Sequence, residues 1–243
     1  MNRGGIWDGE SKRPVLAQGL IVSCQALEHE PLHGGDTMAK MAKAAVSSGA
    51  IGIRTNGVFD IRAIKQTVPV PVIGLIKRDI AGSDIFITPT LEEVQAIVAA
   101  GADVVALDMT DREGRPEQAA TLIDYAHRHG AAVMADISTY EEGLAAERLG
   151  ADFIGTTLSG YTPYSPQQEE PDLELVRRLS EAVRIPVVAE GRIWTPEDAI
   201  KAMQAGASYV VVGSAITRPQ LITARYTQAL SKWNEFHAQE TGA

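Results

Sequence analysis

One phrase recurs along this chain: a helical pattern, then Gly-Ala, then a buried apolar run. It stands at Ser48-Gly49-Ala50, Ala100-Gly101-Ala102, His129-Gly130-Ala131, Leu149-Gly150-Ala151 and Ala205-Gly206-Ala207. Glycine suits the left-handed residue that ends a helix, and the strand then starts almost at once. Two further strands are entered through proline, at Val70-Pro71 and Ile185-Pro186, and an opening strand covers 19–24. The predicted strands are eight: 19–24, 50–54, 71–77, 103–108, 131–136, 152–157, 186–190 and 208–213. Each is a near-continuous apolar run, the pattern of a strand covered on both faces.

Helices fill the intervals. The stretches 36–48, 91–100, 117–129, 141–149 and 196–205 carry apolar residues at three- and four-residue spacing. Three of them open on capping signals, Thr90 with Glu93, Thr139 with Glu142, and Thr195-Pro196 with Asp198. Eight buried strands alternating with helices predict a single-domain (β/α)8 TIM barrel over 19–243, preceded by a lead-in at 1–18. A doubly wound open sheet would not need eight strands, and no G-x-G-x-x-G follows the first one.

Composition narrows the function. A net charge of -9 argues against a nucleic-acid or anionic-membrane surface, though not against a local site for a small anion. No apolar run approaches membrane-spanning length, and the lead-in, with Arg3, Asp8, Glu10, Lys12 and Arg13, has no signal core. The single cysteine, Cys24, excludes an internal disulfide and fits a reducing cytosol.

In a barrel the chemistry sits at the carboxyl ends of the strands. Counting inward positions by twos gives Ile21, Ser23 and Gln25 on the first strand, Gly52 and Arg54 on the second, and Leu75 and Lys77 on the third. The fourth gives Ala106 and Asp108, the fifth Met134 and Asp136, and the seventh Val188 and Glu190. An ammonium closing an apolar row is costly unless paired or chemically employed. Five charges converging on one mouth point to an active site rather than to solvation. Short glycine-bearing loops follow the last two strands, Gly191-Arg192 and Gly213-Ser214, where barrels commonly cradle a phosphate, and Arg192 or Arg218 could add charge-assisted bonds. The loops at 78–89 and 159–171 are long enough for lids or dimer contacts. Glu28-His29-Glu30 and His33 make a weak case for a metal, since no other strand end offers a histidine.

The segments Ser23-Cys24-Gln25, Gly52-Ile53-Arg54, Ile76-Lys77-Arg78-Asp79, Ala135-Asp136-Ile137-Ser138, Glu190-Gly191-Arg192-Ile193 and Gly213-Ser214-Ala215 resemble the bacterial N-acetylmannosamine-6-phosphate 2-epimerases. The likeness runs in order from about residue 19 to the last helix. Other barrels of the ribulose-phosphate-binding type share the glycines but not Lys77 with Arg78-Asp79. The resemblance implies a cytoplasmic enzyme of sialic-acid and amino-sugar breakdown that needs no metal and no cofactor and epimerises a phosphosugar at C2. It implies Lys77 and Glu190 as acid and base, Gln25, Arg54 and Asp136 as substrate-binding, and Gly191, Arg192, Gly213, Ser214 and Arg218 as phosphate-binding. A homodimer is a family-level expectation. The last helix carries an apolar stripe through Tyr226, Trp233 and Phe236 to pack on the barrel or on a second subunit, and such a stripe is more often core than interface. Residues alone leave open a Schiff-base lyase through Lys77, a metal-dependent epimerase and a non-catalytic phosphosugar sensor.

Overall fold

A computed structural model describes residues 18–112 and 114–241, with side chains through 234. The lead-in expected at 1–18 therefore lies outside the described residues except for Gln18. The strands are β1 (Gly19–Cys24), β2 (Gly52–Asn56), β3 (Val72–Leu75), β4 (Val104–Asp108), β5 (Ala132–Asp136), β6 (Phe153–Gly155), β7 (Val187–Glu190) and β8 (Tyr209–Val212). All pair in parallel, in sequence order, and β8 returns to β1, so the sheet closes into a barrel. The helices are α1 (Thr37–Ser47), α2 (Val58–Thr67), α3 (Leu91–Ala99), α4 (Arg115–Arg128), α5 (Tyr140–Leu149), α6 (Leu173–Ala182), α7 (Pro196–Gln204), the four-residue α8 (Ser214–Thr217) and α9 (Pro219–Thr241).

The recurring Gly-Ala phrase does what its chemistry requires. Gly49, Gly101, Gly130, Gly150 and Gly206 all take positive φ, between 80° and 103°, and each hands a helix to the next strand. The three capping signals form as well: Thr90 with Glu93, Thr139 with Glu142 and Thr195 with Asp198 each make reciprocal bonds at a helix N-terminus.

Apolar side chains sort into two layers by strand alternation. Ile21, Ile73, Leu75, Ala106, Met134 and Val188 fill the barrel interior, while Val22, Ile53, Val105, Val133 and Ala189 face the helices. The inward row deduced by period two is therefore the observed one. Two expectations are corrected. The third strand ends at Leu75, not at residue 77. The chain leaves the ladder because 78–89 folds back on it: Thr88 N–H donates to Ile76 O at 2.8 Å, and Lys77 bridges antiparallel to Ile87. That excursion seats Ile87 in the barrel interior, so it forms part of the wall. The apolar stripe of the last helix is not core either. Tyr226 and Trp233 are 71% and 58% exposed, and the side chain of Phe236, the stripe's third member, lies outside the described residues.

Candidate active site

The carboxyl ends of the strands surround a cavity of about 490 Å³, within the range of small-molecule sites. Lys77 and Glu190 both line it. They enter from β3 and β7, four places apart in an eight-strand ring, and so face one another across the mouth. Lys77 is held from its backbone, whose N–H donates to Asn56 Oδ1 at 2.9 Å. No carboxylate among the described residues lies within ion-pair distance of its ammonium. Burial, with the positive charges of Arg54 and Arg218, lowers its pKa to about 8, against the opposing pull of Glu190 and Asp136.

Arg54 and Asp136 stand elsewhere than the sequence suggested. Neither lines the cavity; they are 1% and 0% exposed and lie beneath its floor. Arg54 donates from Nη1 to Asp136 Oδ1 at 3.1 Å and from Nη2 to Oδ2 at 2.7 Å. The same Nη1 lies 3.3 Å from Glu190 Oε2. The pair thus forms the bed on which Glu190 rests. The physical reason is depth: both side chains belong to the last buried layer and point across the barrel axis at each other.

Thr157, to which the sequence assigned no role, completes this bed. Its hydroxyl is 2.6 Å from Asp136 Oδ1 and 3.1 Å from Glu190 Oε2. One hydroxyl carries one proton, so it satisfies one carboxylate as donor. With Asp136 served at the shorter distance, Glu190 meets the same oxygen favourably when it carries a proton of its own to donate. The electrostatics agree. Burial raises the pKa of Glu190 to about 7, Arg54 opposes the rise and the Asp136 charge adds to it. The sequence signal was available, since Phe153, Gly155 and Thr157 continue one inward row.

Opposite β3, the loops after β7 and β8 form the other wall. Gly191 and Arg192 have φ of 108° and 57°, and Gly213 opens α8, whose first N–H groups have no intrahelical acceptors. Gly191, Arg192, Gly213, Ser214 and Arg218 all line the cavity. The Arg192 guanidinium is directed away from the glycine loops: Nη1 donates to Ser159 O at 2.5 Å and Nε to Glu170 O at 2.9 Å, which braces the loop at 159–171. Arg218 is held by Glu30, with Nε 2.8 Å from Oε1 and Nη2 donating to Oε2 at 2.9 Å. Glu30, weighed earlier as a weak metal ligand, is thus a clamp on a cavity arginine. Gln25 also lines the wall, 6% exposed, its Nε2 donating to Ser23 Oγ at 2.8 Å and its Oε1 buried with no partner among the described residues.

A lysine with lowered and a glutamate with raised proton affinity, facing each other at the carboxyl end of a closed parallel barrel, define a (β/α)8-barrel enzyme equipped for acid–base chemistry. Residues 38–232 match the family model described as "Putative N-acetylmannosamine-6-phosphate epimerase". A protein of Caldanaerobacter subterraneus subsp. tengcongensis described as "Putative N-acetylmannosamine-6-phosphate 2-epimerase" is 57% identical over 87% of this chain and 90% of its own length. One of the same description from Clostridioides difficile is 52% identical over 87% of this chain and 95% of its own. The solved structure of the N-acetylmannosamine-6-phosphate 2-epimerase from Clostridium perfringens superposes with a TM-score of 0.85 at 50% identity, covering 88% of this chain and 94% of that one. This chain belongs to the N-acetylmannosamine-6-phosphate 2-epimerase family.

Proposed function

We propose that the chain interconverts N-acetylmannosamine 6-phosphate and N-acetylglucosamine 6-phosphate by moving the proton on C2, with no metal or cofactor. The observation that carries this reading is the Lys77–Glu190 pair: two groups on opposite walls of one cavity, with proton affinities brought to about 8 and about 7. Inverting a carbon beside a masked aldehyde requires opening the ring, removing the C2 proton and returning a proton to the other face. Neutral Lys77 takes the proton, and Glu190, protonated across the mouth, supplies one to the opposite face. Gln25, just past the end of β1, offers an amide to the enolate oxygen. Arg54, Asp136 and Thr157 act through Glu190, fixing its carboxyl and its proton. The phosphate is held by the backbone N–H groups of Gly191, Arg192, Gly213 and Ser214 and by Arg218, so binding energy far from C2 positions the reacting carbon. Among the described residues no three His, Cys, Asp or Glu are placed to hold a metal ion.

Residues 19–243 act as one catalytic unit, in the cytoplasm and in the breakdown of sialic acid and amino sugars. Among the described residues no helix is long and apolar enough to cross a membrane. The exposed Tyr226 and Leu230 on α9 support a homodimer.

The test is a proton NMR time course of N-acetylmannosamine 6-phosphate in D2O with EDTA. N-acetylglucosamine 6-phosphate carrying deuterium at C2 is expected, and Lys77→Ala should lose about 10²–10⁴-fold or more of the rate. An unchanged spectrum, product only when EDTA is omitted, or near-normal turnover by the variant would overturn the reading.

A further inference from the structure

If the phosphate lies against the β7 and β8 loops, the far end of the sugar meets the loops after β3 and β4. Because β4 and β8 are four places apart in the ring, that wall is diametrically opposite. The acetamido nitrogen is one bond from C2, the carbon that Lys77 addresses, so the group that reads it must flank Lys77. The neighbouring strands are β2 and β4. On the β2 side Arg54 lies under the floor, and Asn56 Oδ1 is taken by the Lys77 N–H. The β4 side is different, because there Asp108 and Arg112 line the cavity and the mechanism uses neither.

An acetamide presents one acceptor, one donor and one methyl group, and this wall holds a complement to each. Asp108 is buried at 3% exposure, and its Oδ1 accepts from Thr110 N–H at 3.0 Å and Thr110 Oγ1 at 2.6 Å. Among the described residues its Oδ2 accepts only a long bond, from Phe86 N–H at 3.4 Å, and keeps acceptor capacity. The Arg112 guanidinium stacks 5.6 Å from the centre of the Tyr164 ring. Its Nε is buried with no partner among the described residues, and its one ion-pair contact is to Asp84 at 3.9 Å, on a side chain 80% exposed. Such a pair is weak, so the guanidinium has donors in hand. Ile87, 3% exposed, and Phe86 line the same cavity and supply apolar surface there.

We propose that Asp108 and Arg112 determine specificity for the 2-acetamido group: Arg112 donates to its carbonyl, Asp108 accepts its N–H, and Phe86 and Ile87 pack on its methyl. This rests on the phosphosugar reading above and extends it to the group that distinguishes an N-acetylated amino sugar from a plain hexose phosphate. A free amine would keep the contact with Asp108 but lose the carbonyl contact with Arg112 and the methyl contacts with Phe86 and Ile87.

The experiment uses two unreactive open-chain ligands, N-acetylglucosaminitol 6-phosphate and glucitol 6-phosphate, which differ in the acetamide alone. Calorimetric dissociation constants are measured for the wild type, Arg112→Met and Asp108→Asn. The wild type is expected to prefer the acetamido ligand by about 10- to 100-fold, the range for hydrogen bonds to charged groups. Arg112→Met should cut that preference to a few-fold while glucitol 6-phosphate binding moves less than about twofold, and Asp108→Asn should cut it about tenfold. Arg112 sits at the rim, so that variant keeps the test independent of any folding defect at the buried aspartate. Equal weakening of both ligands, or no preference in the wild type, would overturn the assignment. Because neither ligand reacts, failure of turnover would instead count against the epimerase reading alone.

Discussion

Under the proposed mechanism, Glu190 is the residue at which stability and function pull in opposite directions. Its carboxyl is displaced from an ordinary value near 4.5 to about 7, chiefly by burial, with Arg54 opposing and Asp136 adding to the rise. In the ionised form that displacement costs the fold about 3 kcal/mol, at 1.36 kcal/mol per tenfold change in proton affinity. The sign follows from the direction of the shift. A group whose pKa is raised on folding stabilises when protonated, so the contribution is complete below about 4.5 and lost as pH rises through about 7. Glu190→Gln keeps the shape and stays neutral at every pH. It should match the wild type within about 1 kcal/mol at pH 5 and exceed it by up to about 3 kcal/mol at pH 8.5. Turnover should fall by about 10²–10⁴-fold. Urea denaturation at a series of pH values reads the stability difference directly. A variant less stable than the wild type at pH 8.5 would mean that the 3.3 Å contact with Arg54 makes Glu190 a stabilising anion, and the proton assignment would fall.

Two further outcomes follow from the same geometry. The pH profile of kcat/KM should be a bell with limbs near 7 and 8, because the working form holds one proton between Lys77 and Glu190. Below the lower limb both groups are protonated and no base remains; above the upper one both are bare and no acid remains, and a profile flat from pH 6 to 9 would contradict this. Gly155→Ala would drive a Cβ against Met134 Cε and to 3.0 Å from Thr157 Oγ1 and 3.2 Å from Asp136 Oδ1. Met134 can swing aside, but the hydroxyl between the two carboxyls cannot do so freely. Overpacking of about 1–3 kcal/mol and a kcat lowered roughly tenfold are expected, checked by thermal melts and steady-state kinetics.

The barrel was legible because the backbone dictated its own signals. A left-handed helix end accepts glycine most readily, and a doubly covered strand reads as an unbroken apolar run, so Gly49 through Gly206 marked the handovers. The inward row was legible for the same reason, since alternation is a property of the strand and not of its neighbours. Depth was not. Period two places Arg54 and Lys77 on the same lining but does not say that one lies under the floor and the other beside the cavity. Nor does it say that the Arg192 side chain turns to Ser159 and Glu170, which depends on a positive φ at a non-glycine residue set by tertiary packing. Thr157 escaped because an uncharged hydroxyl does not stand out among charged strand ends, although it lies on the row. Glu30 was visible only as an acidic neighbour of His29; its partner Arg218 is 188 residues away.

The Arg54–Asp136 pair makes sense in these terms. A buried ion pair is poor evidence for stability, because desolvation consumes most of what the charges gain. Its effect on the two groups above it is specific. The arginine lowers the proton affinity of Lys77 and limits the rise at Glu190, while the aspartate raises both. The two affinities end about one tenfold step apart, which places neutral Lys77 with protonated Glu190 within about 1.4 kcal/mol of the charged alternative. An epimerase needs that near balance. In the proposed mechanism one passage leaves the proton on Lys77 and Glu190 bare, which is the form the reverse reaction starts from. A strong preference for either arrangement would not select a direction, because the sugar equilibrium fixes the ratio of the two, but recovering the scarcer form would slow turnover as a whole.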